Sequence, residues 1–319
     1  MKVLVTGAFG CIGSGLVGEL QRRGHRIRTF DLPTIWNRKA ARRWRFAELV
    51  WGDIRDSGAL QAAVQDQDAI IHLAGVLPPD SDSDPVLAKE VNVAGTANVL
   101  SAAKAAAGRP RIIYTSSFHI YGPTAHLPPP RRVDDPVMAV DAYTAHKLEC
   151  EDMLKRSGLD WTIIRLAYVP HIAWRRPPAL LFEVPLDTRV ETLHVRDAAA
   201  ALANALDCDD ALGRILLVGG GPRCQVLYRD YIFKALWVMG IDPLPEAAFG
   251  KRPYPMDWLD TVESERLLRY QRHSFHDIIL DTQRQIGVRR GLARLLHPLP
   301  RYAILRLSPY WPPRLTASL

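Results

Sequence analysis

Along the first half of the chain, short apolar runs alternate with longer amphipathic stretches. "DAIIHLAGV", "RIIYTSS" and "DWTIIRLAYV" are apolar without the every-second-residue break of a half-exposed strand, as strands buried on both faces require. "SGALQAAVQDQ", "DPVLAKEVNVAGTANVLSAAKAAAG" and "YTAHKLECEDMLKRSG" predict helices. "KVLVTG", "RIRTFDLP" and "AELVWGDIRD" supply three earlier strands, so strand and helix alternate to about Val169. That rhythm predicts an α/β fold built on a doubly wound parallel sheet. The basic stretch "WNRKAARRWR" reads as a loop or a single helical turn.

After Val169 the rhythm breaks into the proline-rich "PHIAWRRPPALLFEVPLD". "RVETLHVRDAAAALANAL" predicts a short strand and a helix, and "GRILLVGGG" a further strand. Smaller elements follow: a helix near "YRDYIFKALWVMG", a strand at "DWLDT" and a helix at "VESERLL". The expected organisation is a dinucleotide-binding unit over residues 1–169, completed by about 188–220. Residues 170–187 and 221–319 form a small substrate-binding cover.

Composition changes this picture little: 48% hydrophobic and 24% charged residues suit a soluble globular protein. The formal net charge of +7 favours anionic partners, but the arginines are spread along the chain and no nucleic-acid module is visible, so nucleic acid is not an expected partner. Cys11, Cys150, Cys208 and Cys224 show neither paired nor metal-ligand spacing. Reduced thiols, no metal site and a cytoplasmic location are the expectation. A strand beginning almost at Met1 leaves no room for a leader, and no apolar run is long enough to span a membrane. "RRGLARLLHPLPRYAILRLSPYWPPR" mixes basic and large apolar residues. Its prolines interrupt a long helix, so a cover packed on the domain is favoured over contact with a membrane surface.

The candidate chemistry begins with "TGAFGCIG", between the first strand and the first helix. Gly7, Gly10 and Gly13 are spaced GxxGxxG, as close approach of a pyrophosphate to a helix N-terminus requires. Asp31, 18 residues after Gly13 and at the end of the second strand, stands where an acid can accept from an adenosine ribose, which favours NAD. Arg38, Lys39, Arg42 and Arg43 follow closely, so NADP stays open. Asp53 and Ile54 end the third strand, where an adenine ring can rest. In "YTAHK", helical spacing puts Tyr143 and Lys147 on one face. A nearby ammonium favours a phenolate, moving a group of pKa about 10 towards working pH.

Taken in order, "TGAFGCIG", "GDIRD", "HLAG", "VNVAGTANVL", "YTSSFHIYG" and "YTAHK" resemble the extended short-chain dehydrogenase/reductase family, the NAD-dependent epimerases and dehydratases. The resemblance covers about Met1 to Val169. It implies that Tyr143 is the catalytic acid–base group, that Lys147 tunes it and binds the cofactor ribose, and that Ser117 holds the substrate oxygen. It places the cofactor against Gly7, Phe9, Gly10, Cys11, Ile12, Gly13, Asp31, Asp53, Ile54, Leu73, Ala74, Gly75, Asn92, Thr115, Tyr143, Lys147 and Pro170. His72 is expected to pack rather than react, and Ser116 to be structural. Family members commonly pair the long helix and the Tyr–Lys helix with a second copy, so a homodimer is expected.

The chain also departs from that pattern. Phe118 and His119 occupy the positions of the Asp–Glu pair of sugar 4,6-dehydratases, which argues against water elimination. Tyr168 stands where the family has an asparagine, and the usual Gly-Pro is missing. The stretch from Arg165 to Asp197 is about half as long as in nucleotide-sugar members, leaving little to grip a nucleotide. His119, Tyr168 and Trp174 are candidate substrate contacts; Leu180, Leu181 and Phe182 would give the pocket an apolar roof, and Arg175 and Arg176 would meet an anion or solvent. The leading expectation is an NAD-dependent oxidoreductase acting on a secondary alcohol or ketone. The alternative is a sugar or nucleotide-sugar epimerase using the same three residues, and a silent dinucleotide-binding regulator is a distant third.

Overall fold

The computed structural model describes residues 1–170, 179–295 and 298–311. Its strands are β1 (Lys2–Thr6), β2 (Arg26–Asp31), β3 (Glu48–Trp51), β4 (Ala69–His72), β5 (Arg111–Ser117), β6 (Trp161–Leu166), β7 (Arg189–Glu191), β8 (Arg214–Val218) and β9 (Gln225–Leu227). Seven of them form one sheet in the order β3-β2-β1-β4-β5-β6-β8, every pair parallel. β7 and β9 make a separate antiparallel pair. The doubly wound parallel sheet expected from the apolar runs is therefore present. Its order reverses between β1 and β4, and Thr6 sits beside His72 there. The crevice beyond these two strand ends is where such sheets bind ligands.

Alternate residues of each strand feed two cores. Val3, Val5, Ile71, Ile113 and Ile164 face α1 (Cys11–Arg22) and α8 (Val195–Asn204). Leu4, Ile70, Ile112 and Ile163 face α3 (Ser57–Val64), α6 (Gly95–Ala105) and α7 (Ala142–Lys155). The alanine run from Ala198 to Ala203 is buried and lets α8 lie close against α1: a Cβ placed on Gly15 would stand 3.8 Å from that of Ala199.

Three expectations need correction. The basic stretch after β2 is a helix, α2 (Ile35–Ala41), because the Thr34 hydroxyl accepts from the Asn37 amide at 3.0 Å and caps it. The long helix is not uniform. After the short α4 (Asp80–Ser83) come α5 (Pro85–Lys89), a π-helical turn over Glu90–Ala94 and then α6. Within that wide turn the Asn92 side chain is drawn onto the backbone of Val76. "DWLDT" is not a strand. Side-chain carboxylates take its amides, Asp257 that of Trp258 and Glu191 that of Leu259, so no ladder forms beyond one bridge to Arg131.

The remainder is helical: α9 (Tyr228–Val238), α10 (Val262–Leu268), α11 (Phe275–Ile286), α12 (Arg289–Leu295) and α13 (Leu299–Leu305). α11 begins with a reciprocal cap between Ser274 and Asp277, a signal present in the sequence that the strand-and-helix reading passed over. The C-terminal segment packs on the body as a cover: Ile304 and Leu305 are buried, Ser308 donates to the Ala248 carbonyl at 2.6 Å, and Tyr310 donates to Glu183 at 2.7 Å. Among the described residues no helix is long and apolar enough to cross a membrane.

Candidate active site

The glycine turn closes β1 against α1. Gly7 has φ +68°, and a Cβ on it would lie 2.8 Å from the Ala74 amide nitrogen. A Cβ on Gly13 would lie 2.3 Å from the Gly7 carbonyl oxygen, so both positions need glycine for the turn itself. Gly10 differs. Its Cβ would touch only the Gly7 carbonyl at 3.4 Å, so the outward side there is open backbone. Gly10 is also the N-cap of α1, and no side chain caps the helix. An anion can therefore approach bare backbone at the positive end of a helix dipole, so the turn fits a dinucleotide pyrophosphate.

Asp31 reaches this turn from β2. One carboxylate oxygen accepts from the Phe9 amide at 2.9 Å and the other from Leu32 at 2.8 Å and Asn37 Nδ2 at 3.0 Å. Burial raises its pKa, with the Phe9 and Leu32 amides opposing the rise. Nearby, Phe9 packs on Trp51 with ring centres 5.4 Å apart. Arg38 lies over the Trp51 ring at 5.2 Å and donates to the Pro33 carbonyl. Asp53 is held by Arg55, which also pairs with Glu90 at 2.8 Å. Ile54 is buried against α6, where a Cβ on Gly95 would clash with it.

The "HLAG" stretch is fixed from behind. The buried His72 ring joins the Thr6 hydroxyl at 2.7 Å to the Thr96 hydroxyl at 3.0 Å. Burial lowers its pKa to about 3, so it stays neutral and holds the strand end. Asn92 accepts from the Val76 amide at 2.7 Å and donates to the Val76 carbonyl at 2.9 Å, which sets the path of Leu73, Ala74 and Gly75.

The Tyr–Lys helix starts at a reciprocal cap. Asp141 accepts from the Thr144 amide at 2.7 Å, and Thr144 accepts from the Asp141 amide at 3.1 Å. Tyr143 and Lys147 then lie one turn apart, both buried, at the C-terminal end of β5. Lys147 Nζ donates to the Thr115 carbonyl at 2.7 Å and stands 4.8 Å from the Tyr114 ring centre and 5.7 Å from that of Tyr143. Ser117, last residue of β5, accepts from the His119 amide at 3.2 Å, and its side chain is near enough to the Tyr143 phenol to favour the ionised form. The geometry thus brings Ser117, Tyr143 and Lys147 to one end of the sheet.

The electrostatics of the trio differ from the expectation. Burial raises the Tyr143 pKa to about 12, with Ser117 opposing the rise, and lowers that of Lys147 to about 8. The ammonium is aimed at the Thr115 carbonyl rather than at the phenol oxygen, and loss of water around both groups favours their neutral forms.

A buried ion pair supports the trio from below. Arg165 on β6 grips Glu151, one turn beyond Lys147, through bonds of 2.8 and 3.0 Å, and it also donates to the Tyr121 hydroxyl at 2.6 Å. Cys150 donates to the Asn92 carbonyl at 3.2 Å, tying the same helix to the π turn.

Over the site, His119 packs edge-on to Phe118, with Tyr254 further out at 6.2 Å. Its Nε2 is buried and has no partner among the described residues, and burial lowers its pKa to about 4. The Tyr168 hydroxyl lies 3.2 Å from that of Tyr231 on α9, and burial raises its pKa, with Tyr231 opposing the rise. Tyr168 therefore meets the cover at α9. Tyr231 and Tyr254 carry no motif, and sequence reasoning missed them both. Pro170 is buried. Trp174, Arg175 and Arg176 lie outside the described residues. Phe182 is fully buried against Phe249, so that part of the expected roof is core, while Leu180 remains exposed.

Comparison with known proteins bears on this site. The sequence model of the NAD dependent epimerase/dehydratase family matches residues 3–170. An uncharacterized protein of Mycobacterium tuberculosis is 28% identical over 214 residues, which cover 65% of this chain but only 20% of that longer protein. The D-erythronate dehydrogenase of Cupriavidus necator is 26% identical over 240 residues, covering 65% of this chain and 72% of the relative. Among solved structures, UDP-glucuronic acid 4-epimerase from Bacillus cereus, crystallised with UDP-glucuronic acid and NAD, aligns with a TM-score of 0.76 at 21% identity. That alignment covers 90% of this chain and 99% of the other, and at such identity it establishes the fold.

Proposed function

This chain belongs to the NAD dependent epimerase/dehydratase family, a family of enzymes, and we propose that it is an oxidoreductase that moves a hydride between NAD and a secondary alcohol or ketone. The observation that carries the reading is the buried meeting of Ser117, Tyr143 and Lys147 beside an uncapped glycine turn. NAD would lie with its pyrophosphate on Gly10, Cys11, Ile12 and Gly13, its adenosine between Asp31, Asp53 and Ile54, and its nicotinamide half against Leu73 to Gly75, Thr115 and Pro170. Asn92 acts by shaping that loop. When bound, the nicotinamide accepts or gives the hydride.

The chain's own residues handle the proton. In reduction the Tyr143 phenol gives its proton to the carbonyl oxygen; in oxidation it first loses that proton to solvent, and the phenolate oxygen then takes the proton of the substrate hydroxyl. The Ser117 hydroxyl holds the same oxygen. Lys147, held on the Thr115 carbonyl, hydrogen bonds to the cofactor ribose. The dry surroundings that raise Tyr143 also strengthen each of these interactions. His119 Nε2, buried and without a partner among the described residues, is poised to meet a polar group of the substrate, and Tyr168 is a further candidate contact. Residues 1–169 with about 188–220 would serve as the cofactor unit and the rest as the substrate cover.

Asp31 supports NAD over NADP, since a carboxylate repels a 2′-phosphate. A homodimer through α5, α6 and α7 is proposed as well; Val86 on α5 is 73% exposed and would be covered by it. A second reading, epimerisation, draws support from the fold shared with the Bacillus cereus epimerase. The short segment between β6 and β7 weighs against a nucleotide-sugar substrate. A panel of secondary alcohols, steroids and sugar nucleotides, followed by NADH absorbance, tests the proposal. Net NADH formation that falls about 10²–10⁴-fold in Tyr143→Phe is the expected result. Full activity in that variant would overturn it, and sugar isomerisation without NADH release would favour the epimerase.

A further inference from the structure

The basic residues are spread along the chain, but the net positive charge falls in one place. Residues 282–319 contain seven arginines and no aspartate or glutamate, leaving 34 of the 41 basic residues to balance all 34 acidic ones elsewhere. The whole excess of +7 therefore belongs to α12, α13 and their flanks.

The structure gives that charge a shape. An open groove of about 490 Å³ lies between α11 and α12, lined by Arg284, Arg290 and Arg294 together with Leu280 and Gln283. Arg284 is paired with Asp281 at 2.9 Å. Arg290 and Arg294 instead stack over Trp237 at 4.2 and 6.0 Å, and no carboxylate among the described residues pairs with either. Arg290 Nε is buried without a hydrogen-bond partner among the described residues. Large apolar side chains of the same C-terminal stretch stand in water: Val288 is 91% exposed, Leu295 81%, Leu299 66% and Tyr302 61%. In the same stretch Ile304 and Leu305 are already packed into the body.

We propose that this face docks on an anionic phospholipid bilayer, with lipid phosphate in the arginine groove and Val288, Leu295, Leu299 and Tyr302 entering the boundary of the acyl chains. Arginines that lean on an apolar surface while reaching for phosphate are suited to that interface. A soluble polyanion would leave the apolar residues in water. A second copy of the chain packed by two-fold symmetry would set two sets of unpaired arginines against each other. Short helices broken by Pro298 and Pro300 suit a surface-lying element, and no described helix spans a bilayer. The C-terminal segment is thus both a cover and a docking face, where the sequence favoured the cover alone.

Vesicle flotation of the full chain tests this. Vesicles of phosphatidylcholine doped with phosphatidylglycerol are expected to carry the protein, pure phosphatidylcholine vesicles are not, and added salt weakens the binding. Arg290→Gln with Arg294→Gln should weaken binding roughly 30-fold, about fivefold for each arginine at an anionic surface. Leu295→Ser with Leu299→Ser leaves the charge unchanged and should also weaken it. Unchanged NAD binding and melting verify that the variants fold. Failure of the wild-type chain to float, or equal flotation with neutral vesicles, overturns the proposal. So does full binding by the leucine variant, which would make the face a general polyanion surface that DNA or heparin should then occupy.

Discussion

The buried Tyr143–Lys147 pair gives the sharpest test. A pKa of about 8 for Lys147 lies some 2.5 units below its ordinary value, and about 12 for Tyr143 some 2 units above. Each unit corresponds to about 1.4 kcal/mol, so burial disfavours each charged form by about 3 kcal/mol. The free protein therefore holds its phenol protonated through the neutral range and begins to lose its ammonium near pH 8. If Lys147 holds the cofactor ribose through its charge, NAD affinity must be full below pH 8 and fall above it. A hydrogen bond to a charged group contributes about 1.5–3 kcal/mol, so with the ammonium titrating near pH 8 the drop should reach roughly 10- to 60-fold by pH 10. Fluorescence titration of NAD against pH measures this directly. Lys147→Met should show the weak affinity at every pH, with no step near 8. Tyr143→Phe should keep the wild-type profile, because the phenol is neutral across the same range. A wild-type profile flat from pH 7 to 10, or a step surviving in Lys147→Met, would refute the assignment of Lys147.

Four further outcomes are expected. Gly13→Ala should destabilise the fold, because its Cβ meets backbone at 2.3 Å, whereas Gly10→Ala should melt like wild type yet lose NAD affinity, which calorimetry reads for both. Asp31→Ser should shift the ratio of NADP to NAD affinity towards NADP by tenfold or more, the 2′-phosphate then meeting Arg38 instead of a carboxylate; an unchanged ratio would remove Asp31 from cofactor choice. Arg165→Met leaves Glu151 charged and buried and should cost about 3–5 kcal/mol in urea unfolding. Burial works to raise the Glu151 pKa, but the Arg165 bonds overcome it and hold it low, so that contribution is present above the ordinary carboxylate pKa and fades as pH falls below it. Ser117→Ala should lower turnover on any substrate found while leaving NAD affinity unchanged, which separates it from Lys147.

What could be read ahead of the structure follows from how far each signal reaches along the chain. The parallel sheet was legible because burial on both faces writes itself into consecutive residues, as in Ala69, Ile70 and Ile71, all fully buried. The glycine turn and the Tyr–Lys spacing were legible because each is a local geometric need met within a few positions. The π turn was not: it depends on Asn92 meeting Val76, a contact 16 residues away that apolar periodicity does not encode. "DWLDT" misled for a related reason, since its strand-like composition is overridden by Asp257 and the distant Glu191 claiming its amides. The raised phenol shows the same limit in the site itself. From spacing alone Lys147 lies near Tyr143 and should lower its pKa, but the ammonium is drawn to the Thr115 carbonyl on another element, and burial decides the sign. Charge placement stands between these cases: the balance of arginines over residues 282–319 is written in the sequence, yet it becomes an argument about a surface only once Arg290 and Arg294 are seen over Trp237, some fifty residues earlier in the chain. Substrate specificity falls on the unreadable side for the same cause, because Tyr231 and Tyr254 reach the site from separate parts of a cover that carries no motif.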